Sequence, residues 1–367
     1  MKIGIDARSI EKRICGVSRS TYCLIEALSK IDHDNHYIIY TDTELSNDKF
    51  GKNFQFKATH CPRINPFYDF PFYHILKEDQ LDLLHVTHSW FPQWLPNKIK
   101  AIVTIHDLFA VTDPDHFIKR KPFHKLFQRY IKYLTARSVK RADCIVTVSK
   151  YSKCEIENLF PQARGKIQVV YNSAGVKKIP QEPERKILKN QNVYFLYIGN
   201  CRSYKNVTVL IQGFAKFLET NPSSEVGLVI AGNDDCDTIK SMVEIKGLTE
   251  RVEFILNPSD EEIVQLYQNS FAFVFPSKQE GFGIPVLEAM SFGVPTIISD
   301  ADALIEITDN ATLIFQRDDP EKLSKQMDLY FRNPYLKEEI AKKGVQQAQK
   351  FSWEASATKL NKVYLSL

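Results

Sequence analysis

The sequence predicts an α/β protein made of two domains, each built around a parallel β-sheet. Apolar, β-branched segments alternate along the chain with segments of helical periodicity, which is the pattern of parallel strands connected by helices. One apolar segment, Phe271–Phe275, has no polar position and therefore predicts a strand buried on both faces. At 367 residues the chain is long enough for two ordinary domains.

Composition and charge exclude several classes of protein. Hydrophobic residues make up 44% and charged residues 25%, as in soluble globular proteins, and no run approaches the ~18 apolar residues of a membrane span. Met1–Arg8 leads directly into a predicted strand, with no signal-peptide core. Seven cysteines are dispersed without C-x-x-C or metal-ligand spacing, so we expect reduced thiols, no zinc and a cytoplasmic location.

The first domain begins with a strand, a polar loop and a helix over about Arg19–Lys30. Gly16 stands at the entrance of this helix, where a glycine lets the backbone approach a phosphate group closely. For a lone glycine a simple turn is the more common explanation. The strands predicted in this domain are Lys2–Ala7, Tyr37–Thr41, Leu83–Val86, Ala101–Ile105, Cys144–Ser149 and Lys166–Tyr171.

A histidine follows one of these strands directly. His106 and Asp107 come after Ala101–Ile105, and ligands of open α/β sheets gather at the carboxyl ends of strands. We therefore interpret His106 as a candidate site residue, whereas His85 and His88 are interpreted as structural or surface residues.

The segment 117–141 is strongly basic. It holds nine Lys or Arg residues and no Asp or Glu, and its apolar side chains recur at helical spacing (Phe123, Phe127, Tyr130, Ile131 and Leu134). A basic amphipathic helix of this kind suits the surface of an anionic membrane. A core-facing helix with a solvated basic side fits the pattern equally well. No nucleic-acid motif accompanies the segment, and with a net charge of +4 we expect no nucleic-acid partner.

The second domain opens with a glycine turn that carries cations. Residues 172–190 have the composition of a linker, and the strand that follows ends at Gly199-Asn200, with Arg202 and Lys205 before a helix through Phe217. Cations and free helix N–H groups at this position would neutralise a diphosphate.

The most informative stretch is Phe275–Pro295. It predicts a strand end, a polar loop with Gly281, Phe282 and Gly283, and a helix from Ile284 that begins Ile-Pro. Glu280 precedes the glycines, and Glu288 shares a helix face with Ile284, four residues earlier. Each glutamate alone is best explained as a surface residue. Together, around Gly-Phe-Gly in a strand-to-helix turn, they favour a site for sugar hydroxyls.

Glu280-Gly-Phe-Gly-Ile-Pro-Val-Leu-Glu288 resembles the E-x7-E motif of retaining glycosyltransferase family 4, which has the GT-B fold of two Rossmann-like domains facing across a cleft. The resemblance implies that Glu280 lies against the donor sugar and Glu288 holds the nucleotide ribose. It implies further that Gly16 and Lys205 face the donor diphosphate. Asn200 stands where the family commonly has an arginine, and Arg202 is a candidate for the missing charge.

The resemblance covers nearly the whole chain. It places His106 near the transferred sugar and the loop that begins at Asn257 against the nucleobase. It also implies domains at 1–173, on the acceptor side, and 174–350, with the final helix 351–367 crossing back onto the first domain.

These features predict a metal-independent enzyme that transfers a hexose from a nucleotide diphosphate sugar to a glycan or lipid-linked acceptor, with retention of configuration. Asp113 and Asp115 have the spacing of a metal motif, but their loop lacks supporting ligands. The variant G-N-x-x-x-x-K-N resembles mannosyltransferases of bacterial surface polysaccharides such as lipopolysaccharide, which favours GDP-mannose and the inner face of the cytoplasmic membrane.

Three alternatives stay open on the sequence. One is a UDP-sugar donor in an enzyme of the same fold, and another is a catalytically silent subunit that only binds a nucleotide sugar. A nicotinamide-dependent oxidoreductase is the third, although no G-x-G-x-x-G follows the first strand.

Overall fold

A computed structural model describes residues 1–10, 16–42, 44, 49–61, 69–113, 124–175, 193–234 and 236–367. These residues divide into two compact units, Met1–Ser173 with Phe351–Leu367, and Ala174–Lys350. Most of the predicted linker 172–190, the first part of the basic segment 117–141, and Asp115 lie outside the described residues.

The first unit is a parallel sheet with helices on both faces. The described strands form a seven-stranded sheet in the order β3-β2-β1-β4-β5-β6-β7, and every recorded pairing is parallel. The strands are β1 Lys2–Asp6, β2 His36–Thr41, β3 Phe54–Ala58, β4 Leu83–Val86, β5 Lys100–Thr104, β6 Cys144–Thr147 and β7 Ile167–Val169. The helices are α1 Val17–Ile31, α2 Asp69–Asp79, α3 Phe109–Thr112, α4 His124–Arg141, α5 Lys150–Leu159 and α13 Trp353–Leu365.

Alternate residues of each strand enter different hydrophobic clusters of this unit. Ile38 and Val103 join the cluster that includes Phe72 of α2, whereas Ile39 and Ile102 join the cluster that contains α13. Because successive strand side chains point to opposite faces, the sheet is covered on both sides. The packing of α13 against α1 brings the far end of the chain into the core of this unit.

His85 connects that last helix to the sheet. Its Nδ1 lies 2.6 Å from the hydroxyl of Tyr364 in α13, and its Nε2 lies 2.7 Å from Oγ1 of Thr104 in β5. Burial lowers the pKa of His85 to about 3, so the ring is neutral at physiological pH. This histidine is a structural residue, as the sequence indicated.

A buried ion pair closes the carboxyl end of β1. Nη2 of Arg8 lies 2.8 Å from Oδ2 of Asp6, and both side chains are almost completely buried. Nη1 of Arg8 donates to the carbonyl of Cys61, and the guanidinium stacks 3.6 Å from the ring centre of Phe72. His88 approaches the same carboxylate, with Nε2 3.5 Å from Oδ2 of Asp6. The pair therefore fixes the direction in which the chain leaves β1.

The second unit repeats the architecture. Its described strands form a six-stranded parallel sheet in the order β10-β9-β8-β11-β12-β13. The strands are β8 Tyr194–Ile198, β9 Gly227–Gly232, β10 Val252–Leu256, β11 Ala272–Phe275, β12 Thr296–Ser299 and β13 Leu313–Phe315. The helices are α6 Val207–Thr220, α7 Asp237–Ile245, α8 Asp260–Asn269, α9 Ile284–Ser291, α10 Asp302–Thr308, α11 Pro320–Arg332 and α12 Pro334–Ala348.

The buried face of the basic helix α4 differs from the predicted apolar face in one residue. Ile131 is buried and Phe127 packs against the core, as expected, but Tyr130 is 48% exposed. Leu126 and Tyr133 are also exposed, at 67% and 62%. The apolar stripe that contacts the core is therefore narrower than the sequence predicted, and aromatic rings share the outer face with the cations.

The expectation of reduced thiols is wrong for one pair of cysteines. Cys201 and Cys236 form a disulfide, with their Cα atoms 5.3 Å apart. They are separated by 35 positions in the sequence, so spacing alone does not reveal the pair. Cys201 follows β8 and Cys236 follows β9, and these neighbouring parallel strands deliver both loops to the same edge of the sheet. Cys61, Cys144 and Cys154 are free thiols.

Candidate active site

The glycine turn before α9 requires glycine at one position. Gly283 occupies the N-cap with φ 113° and ψ 48°, and a Cβ there would lie 2.6 Å from Cδ2 of Leu304. A side chain is thus opposed both by the backbone conformation and by the packing. The helix starts at Ile284 with Pro285 in its first turn, as predicted. Its N-terminus has no side-chain cap, and the N–H groups of Val286 and Leu287 donate to the carbonyl of Gly283. The positive end of the helix dipole lies at this turn.

Lys205 and Glu280 are brought together by two loops of the second unit. Nζ of Lys205 lies 2.6 Å from Oε1 of Glu280, and the two side chains are only 14% and 9% exposed. The ammonium group also lies 5.1 Å from the ring centres of Tyr204 and Phe275. Aromatic faces attract a cation, so the lysine is held by one carboxylate and two rings. A cation and an acidic side chain thus stand together at the carboxyl ends of β8 and β11.

The loop that carries Lys205 is fixed by backbone contacts. The hydroxyl of Tyr197 donates to the carbonyl of Asn200 at 2.6 Å, and the backbone N–H of Lys278 donates to the carbonyl of Tyr204 at 2.8 Å. The second contact joins this loop to the one that contains Glu280. The ion pair therefore rests on two loops that are already connected through their main chains.

Asn206 is a residue that the sequence reasoning did not select. It caps α6 in a left-handed conformation, with φ 58°, and is 5% exposed. Its Nδ2 has no hydrogen-bond partner among the residues that the structure describes. The Lys-Asn dipeptide before a helix was the available signal, but a buried amide donor can be found only from the coordinates.

Glu288 is buried on α9 with both carboxylate oxygens engaged. Oε1 accepts from the backbone N–H of Gly175 at 3.1 Å, and Oε2 accepts from the hydroxyl of Tyr267 at 3.0 Å. The residue is 5% exposed, which makes it quite unlike a surface glutamate. A carboxylate has about four acceptor positions, so each oxygen can accept from more than one donor. The role of Glu288 toward a ribose stays a prediction.

The other predicted donor residues of this unit differ in exposure. Gly281 and Phe282 are buried beside Glu280, Ile284 is half-buried, and Arg202 and Asn257 are exposed. The backbone N–H of Arg202 donates to Oδ1 of Asn200 at 3.3 Å. Asn257 has φ 54°, and its backbone N–H donates to the carbonyl of Gly232 at 2.7 Å.

Gly16 and His106 belong to the first unit. Gly16 is the exposed N-cap of α1, with φ 51°. Nε2 of His106 lies 3.1 Å from the carbonyl oxygen of Thr87, and because a carbonyl only accepts, this nitrogen carries a proton. The hydroxyl of Ser152 donates to the backbone carbonyl of His106, which fixes the turn. His106 also lines a small cavity with Ser20, Thr87, Thr104, Tyr171 and Trp353, among others.

No group of three or more His, Cys, Asp and Glu side chains is positioned to hold a metal ion in the described part of the chain. The same residues include no helix long and apolar enough to cross a membrane. Metal independence stays a prediction.

Two family models together span most of the sequence. The model described as Glycosyltransferase Family 4 matches residues 14–175, and the model described as Glycosyl transferases group 1 matches residues 178–350. The chain is a family 4 glycosyltransferase. The second match contains the ion pair of Lys205 and Glu280 together with α9. The E-x7-E motif from Glu280 to Glu288 therefore lies within the region that the family model matches.

Individual relatives of this glycosyltransferase include two bacterial enzymes. O-antigen chain mannosyltransferase B of Escherichia coli is 29% identical over 281 residues, which cover 74% of this chain and 72% of that protein. O-antigen chain mannosyltransferase RfbU of Salmonella typhimurium is 31% identical over 246 residues, which cover 67% of this chain and 64% of that protein.

A solved structure supports the fold over the whole chain. Sucrose-phosphate synthase from Thermosynechococcus elongatus superimposes with a TM-score of 0.81 at 17% identity, and the match covers 100% of this chain and 98% of that one. With two parallel-sheet Rossmann-like units described above, the predicted α/β class and GT-B family of folds are confirmed.

Proposed function

We propose that this glycosyltransferase transfers mannose from GDP-mannose to a glycan or lipid-linked acceptor during the synthesis of a bacterial surface polysaccharide, with retention of anomeric configuration. The observation that carries the proposal is the largely buried pair of Lys205 and Glu280, whose glutamate lies in the loop that leads into the N-terminus of α9. Support for mannose comes from the two relatives named as O-antigen mannosyltransferases.

The chemistry divides between charge neutralisation and positioning. Transfer breaks the bond between the anomeric carbon and the diphosphate, and negative charge grows on the leaving group. Lys205 and the positive end of the α9 dipole supply positive charge for it. The incoming diphosphate competes with Glu280 for the ammonium group, which leaves the carboxylate available to the sugar ring and to positive charge at the anomeric carbon. Glu288 accepts from the ribose hydroxyls.

In the first unit, Gly16 offers its backbone to the diphosphate, and His106 contacts the sugar or positions the acceptor. Asn200 and Arg202 contact the donor diphosphate, and the loop that begins at Asn257 contacts the nucleobase. Because cations and the positive ends of helices carry the charge, we expect no metal ion to be required.

A thermal-shift panel tests the donor. GDP-mannose without added metal is expected to raise the melting temperature, since a ligand at a hundredfold excess over its dissociation constant stabilises the folded state by about 2.7 kcal/mol. Glu288→Gln should weaken the shift, whereas Glu339→Gln, on an exposed helix face, should leave it unchanged. A shift with UDP-glucose instead would replace the proposed donor, and a shift with NAD alone would contradict the nucleotide-sugar site. Binding without transfer to any acceptor would favour a silent subunit.

We also propose that α4 lies on an anionic membrane where the acceptor resides. Lys125, Arg129 and Lys132 are exposed on this helix, which contains no Asp or Glu. Three apolar or aromatic residues share the outer face, namely Leu126, Tyr130 and Tyr133. Cations beside exposed rings suit an interface of anionic headgroups and acyl chains.

Sedimentation with phosphatidylglycerol vesicles tests this contact. Each cation contributes about 1 kcal/mol near an anionic surface, and glutamate adds repulsion, so Lys125→Glu, Arg129→Glu and Lys132→Glu combined should reduce vesicle binding by about a hundredfold or more. The matched control reverses three exposed lysines of the second unit, Lys342, Lys343 and Lys350. Equal losses in both variants, or equal binding to phosphatidylcholine vesicles, would contradict a specific role of α4.

A further inference from the structure

The Cys201–Cys236 disulfide lies in the loop that carries Lys205. Cys201 follows Asn200 after β8, and Lys205 comes four residues later at the end of a short 3-10 helix. Cys236 stands at the N-cap of α7, after β9. The backbone N–H of Lys205 donates to the carbonyl of Arg202 at 2.9 Å. One short turn of the chain therefore separates Cys201 of the disulfide from Lys205, whose ammonium group pairs with Glu280.

The two bridged loops are also in contact close to the disulfide. The backbone N–H of Cys201 lies 3.3 Å from Oδ2 of Asp234. A Cβ on Gly232 would lie 2.1 Å from the carbonyl oxygen of Gly199, so only glycine permits this approach. The donor loop is thus held against the loop after β9 by one covalent bond, one hydrogen bond and one backbone contact.

The two sulfur-bearing residues differ in access. Cys236 is 7% exposed, whereas Cys201 is half-buried. The side of Cys201 is therefore the more accessible of the two for a small thiolate. Of the free cysteines, Cys61 and Cys144 are buried, and Cys154 is exposed on α5 in the other unit.

We propose that Cys201 and Cys236 form a reversible thiol–disulfide site, served by low-molecular-weight thiols and disulfides, that sets the affinity of the Lys205 loop for the donor diphosphate. Reduction begins when a thiolate attacks Sγ of Cys201, which forms a mixed disulfide and leaves the electron pair on Cys236, where it takes up a proton. A second thiol releases Cys201 as a thiol. Two glutathione molecules are thereby oxidised to glutathione disulfide, and oxidation of the protein reverses each step.

The effect of the disulfide on donor affinity depends on how much the Lys205 loop is restricted before the donor binds. This effect rests on the proposed function. In the oxidised protein, the loop is fixed before the donor arrives, so little conformational entropy is lost when Lys205 meets the diphosphate. In the reduced protein, the hydrogen bonds of the loop remain but the covalent bond is absent, so the loop fluctuates more and donor binding must restrict that motion. We expect reduction to raise the KM for GDP-mannose three- to tenfold and to change kcat by less than twofold.

Glutathione redox buffers test the proposal on the whole protein. After equilibration, the samples are quenched with acid and alkylated. Mass spectrometry should show that Cys201 and Cys236 change between thiol and disulfide together, whereas Cys154 forms no disulfide with either. Hydrogen exchange at residues 199–206 should be slower in the oxidised form. Cys201→Ser and Cys236→Ser should each reproduce the reduced KM and abolish its redox dependence, and Cys154→Ser, the matched control, should retain it.

The outcomes separate this site from the donor assignment. If the two thiols fail to pair in oxidised glutathione, or if pairing changes neither loop exchange nor the KM, the redox site is refuted. If GDP-mannose binds neither form, the donor assignment fails instead. The redox site is then decided by the loop's hydrogen exchange alone, with slower exchange on oxidation supporting it and equal exchange overturning it.

Discussion

Replacing Lys205 with methionine is expected to lower the turnover number for sugar transfer by about a hundredfold or more, the scale of removing one preorganised charge from a transition state. The methionine preserves most of the side-chain volume but supplies no cation to the departing diphosphate. It also leaves the carboxylate of Glu280, only 9% exposed as a side chain, without its ion-pair partner. Steady-state kinetics with GDP-mannose, alongside a melting curve, measure the effect.

Lys278→Met is the matched control for this substitution. Lys278 lies on the neighbouring loop, is 45% exposed and pairs with Asp318, so its side chain should affect turnover less than twofold. Glu280→Gln should also reduce turnover strongly, and the double variant Lys205→Met/Glu280→Gln should lose less than the sum of the single losses because the two side chains form one unit. Full activity in either single variant would refute the proposed mechanism.

The second large effect concerns folding. Asp6→Ala is expected to lower the free energy of unfolding by about 3–5 kcal/mol, because it leaves the buried guanidinium of Arg8 without its counter-charge. Urea unfolding followed by circular dichroism measures the change. Replacing both residues, as Asp6→Leu/Arg8→Met, removes the isolated charge and should recover much of the loss. Glu338→Ala, in an exposed ion pair with Lys342, should leave the midpoint unchanged.

The same pair predicts an acid-dependent loss of stability. Burial opposes ionisation of Asp6, but Arg8 and His88 outweigh it and hold its pKa well below the ordinary 3.8. A carboxyl group with a lowered pKa stabilises the fold above its unfolded-state pKa, and this contribution is lost as the pH falls further. Wild-type protein should therefore lose stability more steeply than Asp6→Leu/Arg8→Met below about pH 4. Equal slopes, or no recovery in the double variant, would contradict the assignment.

Local signals in the sequence were sufficient for the elements around the site. The predicted start of α9 at Ile284, which rests on Gly283 and Pro285, is confirmed. This feature depends on residues within one turn of each other, which explains why it can be predicted without coordinates.

Features that depend on distant parts of the chain were not predictable in this way. The disulfide of Cys201 and Cys236 requires knowing that β8 and β9 are neighbours, and the engagement of Glu288 requires Tyr267 of another helix. The pairing of Lys205 with Glu280 spans 75 positions, and only the family resemblance had placed both on one ligand. Tyr130 was wrongly assigned to the buried face of α4, because helical spacing predicts the direction of an apolar face but not how wide the buried part is.

The contribution of α13 to the first unit has a consequence for biosynthesis. Leu360 and Tyr364 of this helix belong to the core that also contains β1 and β2. A ribosome makes them only after the whole of Ala174–Lys350, which at 5–20 residues per second takes on the order of ten seconds. During that interval the nascent first unit lacks the apolar side chains of α13. It also lacks the hydroxyl of Tyr364, which hydrogen-bonds to His85. The second unit, contiguous in the chain, can complete its core first, whereas the core of the first unit is completed only when translation reaches α13.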